Sequence, residues 1–272
     1  MSGRGGQWLI GGASVRGSAH VRNDRPNQDS IAWSPSGGLG GRIVGAVSDG
    51  HGAALHFRSE VGSRLAVERA VEILAWHLDE GEPDDCEGAL AGEILTAWRR
   101  AVDEHVGAYP LRDEMVASAA HPYGATLIAI ATDDGVLTMI QIGDGDLLLG
   151  YPDGRVERPL HADAGLIGEQ TYSLCQSDAE TRFRVASLWR GDGRDWPDFA
   201  LLATDGVSKS FRDEDAFVAA VSRFRTLAGR DWAGTLEVLP DWLAEVSAKG
   251  SGDDSTICIA LRRGAGAPHG GK

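Results

Sequence analysis

Four times in this chain, an aspartate stands where an apolar, strand-like run meets a turn. Residues 42–48 (RIVGAVS) lead into Asp49-Gly50, residues 136–143 (VLTMIQIG) into Asp144-Gly145, and residues 199–204 (FALLAT) into Asp205-Gly206. Asp253-Asp254 precedes the run 256–261 (TICIAL). A single Asp-Gly pair is an ordinary turn. Several such ends folded to one place are different, because clustered carboxylates repel and cannot all stay ionised without a compensating cation. Oxygen ligands of this kind favour Mg²⁺, Mn²⁺ or Ca²⁺ over zinc. A fold that brings these strand ends together would build such a site.

Composition narrows the partners. Across 272 residues, 26 Lys+Arg stand against 40 Asp+Glu, a net charge of −14. That balance argues against a nucleic-acid or anionic-membrane surface and suits divalent cations. The three cysteines, Cys86, Cys175 and Cys258, form no CxxC pair, so neither a zinc knuckle nor a disulfide framework is expected. No apolar run approaches the roughly 20 residues of a membrane helix, and the start of the chain has too short an apolar core for a signal peptide. A reducing cytoplasm is the expected compartment. The Gly-rich tail 264–272 reads as disordered.

The segments come in groups. Residues 8–15 and 42–48 read as strands, followed by helices at about 53–78 and 87–107. In the second helix, Leu90, Ile94, Trp98 and Val102 form one apolar stripe. Residues 124–132 and 136–143 read as a hairpin turning at Asp134-Gly135, with a further strand at 147–151. The stretch 155–196 is irregular. A strand at 199–203, helices at about 213–225 and 235–248 and a strand at 256–261 complete the chain, and Pro240 argues for a break in the second of these helices. Grouped strands with paired helices indicate segregated layers, an α+β fold. No linker divides the chain, so residues 1–263 are expected to form one domain.

These residues resemble, in order, the metal-dependent protein phosphatases of the 2C type. Asn27-Gln28-Asp29 is similar to the first acidic motif and Ser48-Asp49-Gly50-His51-Gly52 to the most diagnostic one. Gly124-Ala125-Thr126, Gly143-Asp144, Thr204-Asp205-Gly206 and Asp253-Asp254-Ser255-Thr256 resemble the remaining four. The resemblance implies a four-layer α/β/β/α sandwich, two stacked antiparallel sheets flanked by helices. It also implies two Mn²⁺ or Mg²⁺ ions. Asp49 would bridge them, the Gly50 carbonyl would complete one site, Asp205 and Asp253 would hold the other, and Asp29 would act through ordered water. Asp144, with Asp205, matches a third-metal position of bacterial relatives.

The implied activity is serine/threonine phosphoprotein hydrolysis, in which the metal pair attracts the phosphate dianion and activates water for in-line attack. His51 matches the family's general acid, and a histidine titrates in the useful range. The family's phosphate-binding arginine has two candidates, Arg22 and Arg25, with Arg22 preferred because it follows a Gly-x-x-His-x-Arg run. Gln28 stands where some relatives have Glu, and Asp254 where Asn is usual. The other histidines, His20 among them, read as surface or packing residues. The stretch 155–196 falls where the family carries a flap, and its Gly165, Gly168, Gly191 and Gly193 would permit motion. The resemblance further implies a monomer working opposite a serine/threonine kinase, and the Gly/Ala/Asp/Arg-rich composition points to a bacterial source. A hydrolase of small phosphoesters and an inactive phosphoprotein-binding relative are the alternative functions.

Overall fold

Period-two alternation along the strands builds the layers. In the computed structural model, which describes residues 6–80, 87–112, 118–161 and 171–263, β5 (Leu127–Thr132) turns Leu127, Ala129 and Ala131 to one face and Ile128 and Ile130 to the other. Likewise β10 (Phe199–Ala203) divides Phe199, Leu201 and Ala203 from Ala200 and Leu202. Both strands are buried on both faces, so each must be covered by helices on one side and by a second sheet on the other.

Two antiparallel sheets result. One has five strands in the order β2 (Ser30–Ser34), β4 (Ile43–Ser48), β5, β6 (Val136–Ile142) and β9 (Arg184–Trp189). The other has six: β3 (Leu39–Gly40), β1 (Gln7–Val15), β11 (Ser255–Arg263), β10, β7 (Asp146–Gly150) and β8 (Val156–Glu157). Ile10, Val47, Ile128, Met139, Leu149, Leu202 and Cys258 fill the space between them.

Helices α2 (Ser59–Glu80) and α3 (Glu87–Ala108) cover the five-stranded sheet through Leu65, Ala70, Leu74, Ile94 and Trp98. Helices α5 (Glu214–Arg230) and α6 (Trp232–Lys249) cover the six-stranded one through Phe217, Val221, Leu239 and Leu243. Each such large apolar side chain is worth about 1.5–3 kcal/mol when fully buried. Two shorter helices, α1 (Ser18–Arg22) and α4 (Asp205–Ser208), lie beside the strand ends. The four-layer α+β sandwich is the architecture expected from the sequence. No helix among the described residues is long and apolar enough to cross a membrane.

Three local expectations are corrected. Helix α2 begins at Ser59, not near residue 53, because Gly50 and His51 are still tied to neighbouring strands and Ala54–His56 forms only a 3-10 turn. Helix α6 runs unbroken through Pro240. The proline faces solvent, and Leu239 and Leu243, buried on the sheet, outweigh the one missing hydrogen bond. The stretch 155–196 is not irregular throughout, since β9 inside it pairs with β6 along its length. Its Gly165 and Gly168, and the tail 264–272, lie outside the described residues.

At one end of the sandwich the sheets are joined by charge. Asp134, buried in the β5–β6 turn, accepts hydrogen bonds from Arg262 of β11, from Arg190 and from the Gly6 N–H at 2.7 Å. The paired arginines and the Gly6 amide outweigh the cost of burial and hold its carboxyl below the usual carboxylate range.

Candidate metal centre

Strand register brings the aspartates together at the other end. Ser30 pairs with Ser48 across β2 and β4, which sets Asp29 beside Asp49. The Asp49 N–H donates to Thr126 Oγ1 at 3.0 Å and the Thr126 N–H to the Asp49 carbonyl at 2.9 Å, placing Asp49 next to the start of β5. Leu127 pairs with Ile142, so Asp144 follows at the same end. In the other sheet, Ala203 pairs with Ile257, putting Asp205 and Asp253 together. The carboxylates therefore come from both sheets.

Backbone approaches here exclude side chains. A Cβ on Gly50 would lie 2.6 Å from the Gln28 carbonyl and 2.7 Å from that of Ser59. One on Gly206 would lie 2.0 Å from the Asp254 carbonyl. Gly62 lets α2 approach the Tyr123 carbonyl, and Gly124 beyond it accepts the His51 N–H at 3.0 Å. These glycines are fixed by close approach.

A cleft of about 850 Å³ opens over these ends, lined by Asp49, Gly50, His51, Asp144, Asp205 and Asp253, among others. Asp29 lies behind the lining. Its Oδ2 accepts from Thr204 Oγ1 at 2.6 Å and Thr256 Oγ1 at 2.7 Å. Burial raises the Asp29 pKa well above the ordinary value, against those two hydroxyls, and the charges of Asp254 and Asp205 add to the rise. Asp49 is likewise raised by its enclosure and then by Asp29, Asp205 and Asp253. Asp144 is raised by burial and by Asp205. Asp205 is 7% exposed, and its Oδ1 has no hydrogen-bond partner among the described residues. This is a carboxylate set with more negative charge than protein donors, and it fits divalent cations.

A second group, His20, Asp253 and Asp254, also brings three ligating atoms within 4.8 Å of one another. Asp254, however, is already satisfied by protein. It accepts the Gly17 N–H at 2.6 Å and the Gln28 N–H at 2.7 Å, and His20 Nδ1 lies 2.8 Å away. Its oxygens are committed to holding the chain, whereas Asp205 keeps one open.

The expected residues are not all gathered. Arg22 does not line the cleft. Residues 18–22 form α1, and the Arg22 guanidinium runs back along its exposed side to Ser18 Oγ at 3.3 Å. The chain then turns at Asp24, whose φ is 52°, and carries Arg25 to the cleft, where it donates to the Gly52 carbonyl at 3.0 Å. His51 lies in the cleft, with His56 edge-on at 4.9 Å between ring centroids. Burial first, then His56, lowers the His51 pKa to about 4, against the pull of Asp144.

Among the cleft residues that sequence reasoning missed are His20 and Lys209. His20 is 9% exposed and sits 3.4 Å from Asp253, and the Gly-x-x-His-x-Arg run already marked its position. Lys209 stands one helical turn after Asp205, a spacing that faces it back to that carboxylate. Burial works against its charge, but Asp205, Asp144 and Asp49 raise its pKa.

The comparisons agree with the geometry. No curated protein sequence matches the chain. Among solved structures, the fold is similar to the catalytic domain of the serine/threonine protein phosphatase PstP in complex with two manganese ions, at 20% identity and a TM-score of 0.60, covering 95% of this chain and 99% of that one. PstP/Ppp of Mycobacterium tuberculosis is similar at 20% identity and a TM-score of 0.58, with 94% and 98% covered. PppA of Pseudomonas aeruginosa, a regulatory component of its T6SS, is similar at 15% identity and a TM-score of 0.58, again with 94% and 98% covered. The family model for protein phosphatase 2C matches residues 16–244, most of the chain. The chain belongs to the protein phosphatase 2C family of serine/threonine phosphatases.

Proposed function

We propose that this chain hydrolyses phosphoserine and phosphothreonine in proteins at a centre formed by Asp49, the Gly50 carbonyl, Asp205 and Asp253, with Asp29 behind it and residues 1–263 as one catalytic domain. The observation that carries the reading is the open, buried Oδ1 of Asp205 in a cleft whose carboxylates outnumber their protein donors. Two divalent cations bound there would supply the positive charge a phosphate dianion requires and activate water.

The chain's own groups do the rest. Thr204 and Thr256 fix Asp29 in one orientation, and the Thr126 hydroxyl fixes the backbone of Asp49. Arg25, at the rim, is placed to meet the phosphate as it enters. His51 is neutral in the cleft as it stands, with its pKa near 4. An arriving phosphate dianion favours the charged ring, so His51 becomes a proton donor to the leaving oxygen only in the substrate complex. Phosphoprotein substrates imply an opposing kinase, and a monomer suffices for the site.

The test is hydrolysis by protein stripped with EDTA. A phosphothreonine peptide should be inert until Mn²⁺ is restored, and a sugar phosphate should be turned over far more slowly in the same buffer. Full activity without metal would remove the proposal, and preference for the sugar phosphate would redirect it to small phosphoesters.

A further inference from the structure

The resemblance implies a third ion between Asp144 and Asp205, and the residues present do not fit one. Lys209 Nζ already stands there. It donates to Asp205 Oδ2 within hydrogen-bond distance and lies 3.7 Å from Asp144 Oδ2. The placement follows from the backbone. The Lys209 N–H closes the helical turn on the Asp205 carbonyl at 2.9 Å, so side chains 205 and 209 share one face.

A small divalent ion bridging the two carboxylates would need oxygen at about 2.0–2.2 Å. The ammonium is held where such an ion would bind, offers no lone pair to it, and repels it. Asp205 is thereby divided, Oδ2 to the lysine and Oδ1 without a partner among the described residues.

We propose that Lys209 takes the place of a third metal ion, so that the chain binds two divalent ions and supplies the positive charge of the third position covalently. This rests on the metal-centre reading above. The tethered charge has consequences of its own. It is not lost to chelators or dilution, and it carries one unit of charge where an ion would carry two.

The experiment counts ions and does not use activity. Mn²⁺ binding is measured by equilibrium dialysis, with free Mn²⁺ followed by electron paramagnetic resonance, on the intact chain and on Lys209→Met, Asp144→Asn and the double variant. The wild type should bind two ions up to millimolar Mn²⁺. Lys209→Met should gain a third, several-fold tighter than any third ion in the wild type, the scale of one ion pair of this exposure. That gain should vanish in the double variant. Asp144→Asn alone should leave the count at two, a result that does not depend on the lysine variant folding. A third ion in the wild type that Asp144→Asn removes would overturn the proposal, as would a well-folded Lys209→Met that still binds two. Failure of the wild type to bind any Mn²⁺ would overturn the metal-centre reading, and this inference with it.

Discussion

Asp205 and Asp254 sit on adjacent strand ends, and both are more than nine-tenths buried, yet they do opposite things. Asp254 meets two backbone N–H groups and the His20 ring. Asp205 turns one oxygen to Lys209 and leaves the other without a partner among the described residues. A buried carboxylate saturated by the chain belongs to the fold. One left short of donors is held at a cost that only a ligand recovers. Burial and charge alone do not separate the two. The donor count does.

The largest effect should come from exchanging these roles. Asp205→Asn removes the open carboxylate, and kcat on a phosphopeptide should fall by more than the roughly 100-fold typical of groups one step further from a metal. Asp254→Ala should retain Mn²⁺ binding but strand the Gly17 and Gln28 N–H groups, lowering stability by about 1–3 kcal/mol in denaturant titrations. Loss of Mn²⁺ from Asp254→Ala with stability unchanged would reverse the assignment.

An effect confined to one class of substrate would sharpen the open side of the comparison. His51→Ala should slow a phosphoserine peptide by roughly 10²–10⁴-fold and leave p-nitrophenyl phosphate nearly unaffected, because nitrophenolate departs without a proton. Metal content of the variant should match the wild type. Equal slowing of both substrates would take proton donation away from His51.

The smallest effect is a slope. In metal-free protein, the raised pKa values of Asp29 and Asp49 mean that the folded state holds protons the unfolded chain has released. Stability gained this way is present at low pH and lost as pH rises through the raised values. His51, lowered to about 4, acts in the opposite sense only below its unfolded value, where the unfolded chain takes up a proton that the folded ring refuses. From the ordinary carboxylate range upward, the two carboxylates therefore lower the stability of the metal-free protein, followed as Tm, as pH rises through their raised values, by at most about 1.4 kcal/mol per pH unit for each proton. Saturating Mn²⁺ should flatten the profile. A flat profile without metal would mean that protons do not stand in for the ions.

Much of this was legible in the chain before it was folded. The strand ends, the α2–α3 and α5–α6 pairs and five acidic positions carry local signals, either periodicity or a turn motif, and those survive without tertiary context. What escaped depends on contacts between distant segments. Nothing near Arg22 says that α1 turns its guanidinium outward while Asp24 bends the chain to present Arg25. His20 takes its meaning from Asp253 and Asp254, more than 230 positions away. β9 has too little alternation of its own to be read as a strand and owes its place to pairing with β6. Pro240 shows the converse, a strong local signal overridden by packing.

The two ends of the sandwich are fastened by different means. At one end, Asp134 and its arginines bind the sheets with charges encoded in the chain. At the other, neutral hydrogen-bond donors, the Thr204 and Thr256 hydroxyls on Asp29 and the Gln28 N–H on Asp254, cross between the sheets, and the carboxylates lining the cleft would be tied further by imported charge. One end is then fastened by the chain alone, and the other by the chain with a reinforcement that can be withdrawn. Withdrawing metal should loosen only the cleft end, so amide exchange under chelation would spread inward from Asp49 and Asp205 and fade toward Asp134. The supply of metal in the surroundings would then tune the stiffness of the cleft end as well as its chemistry.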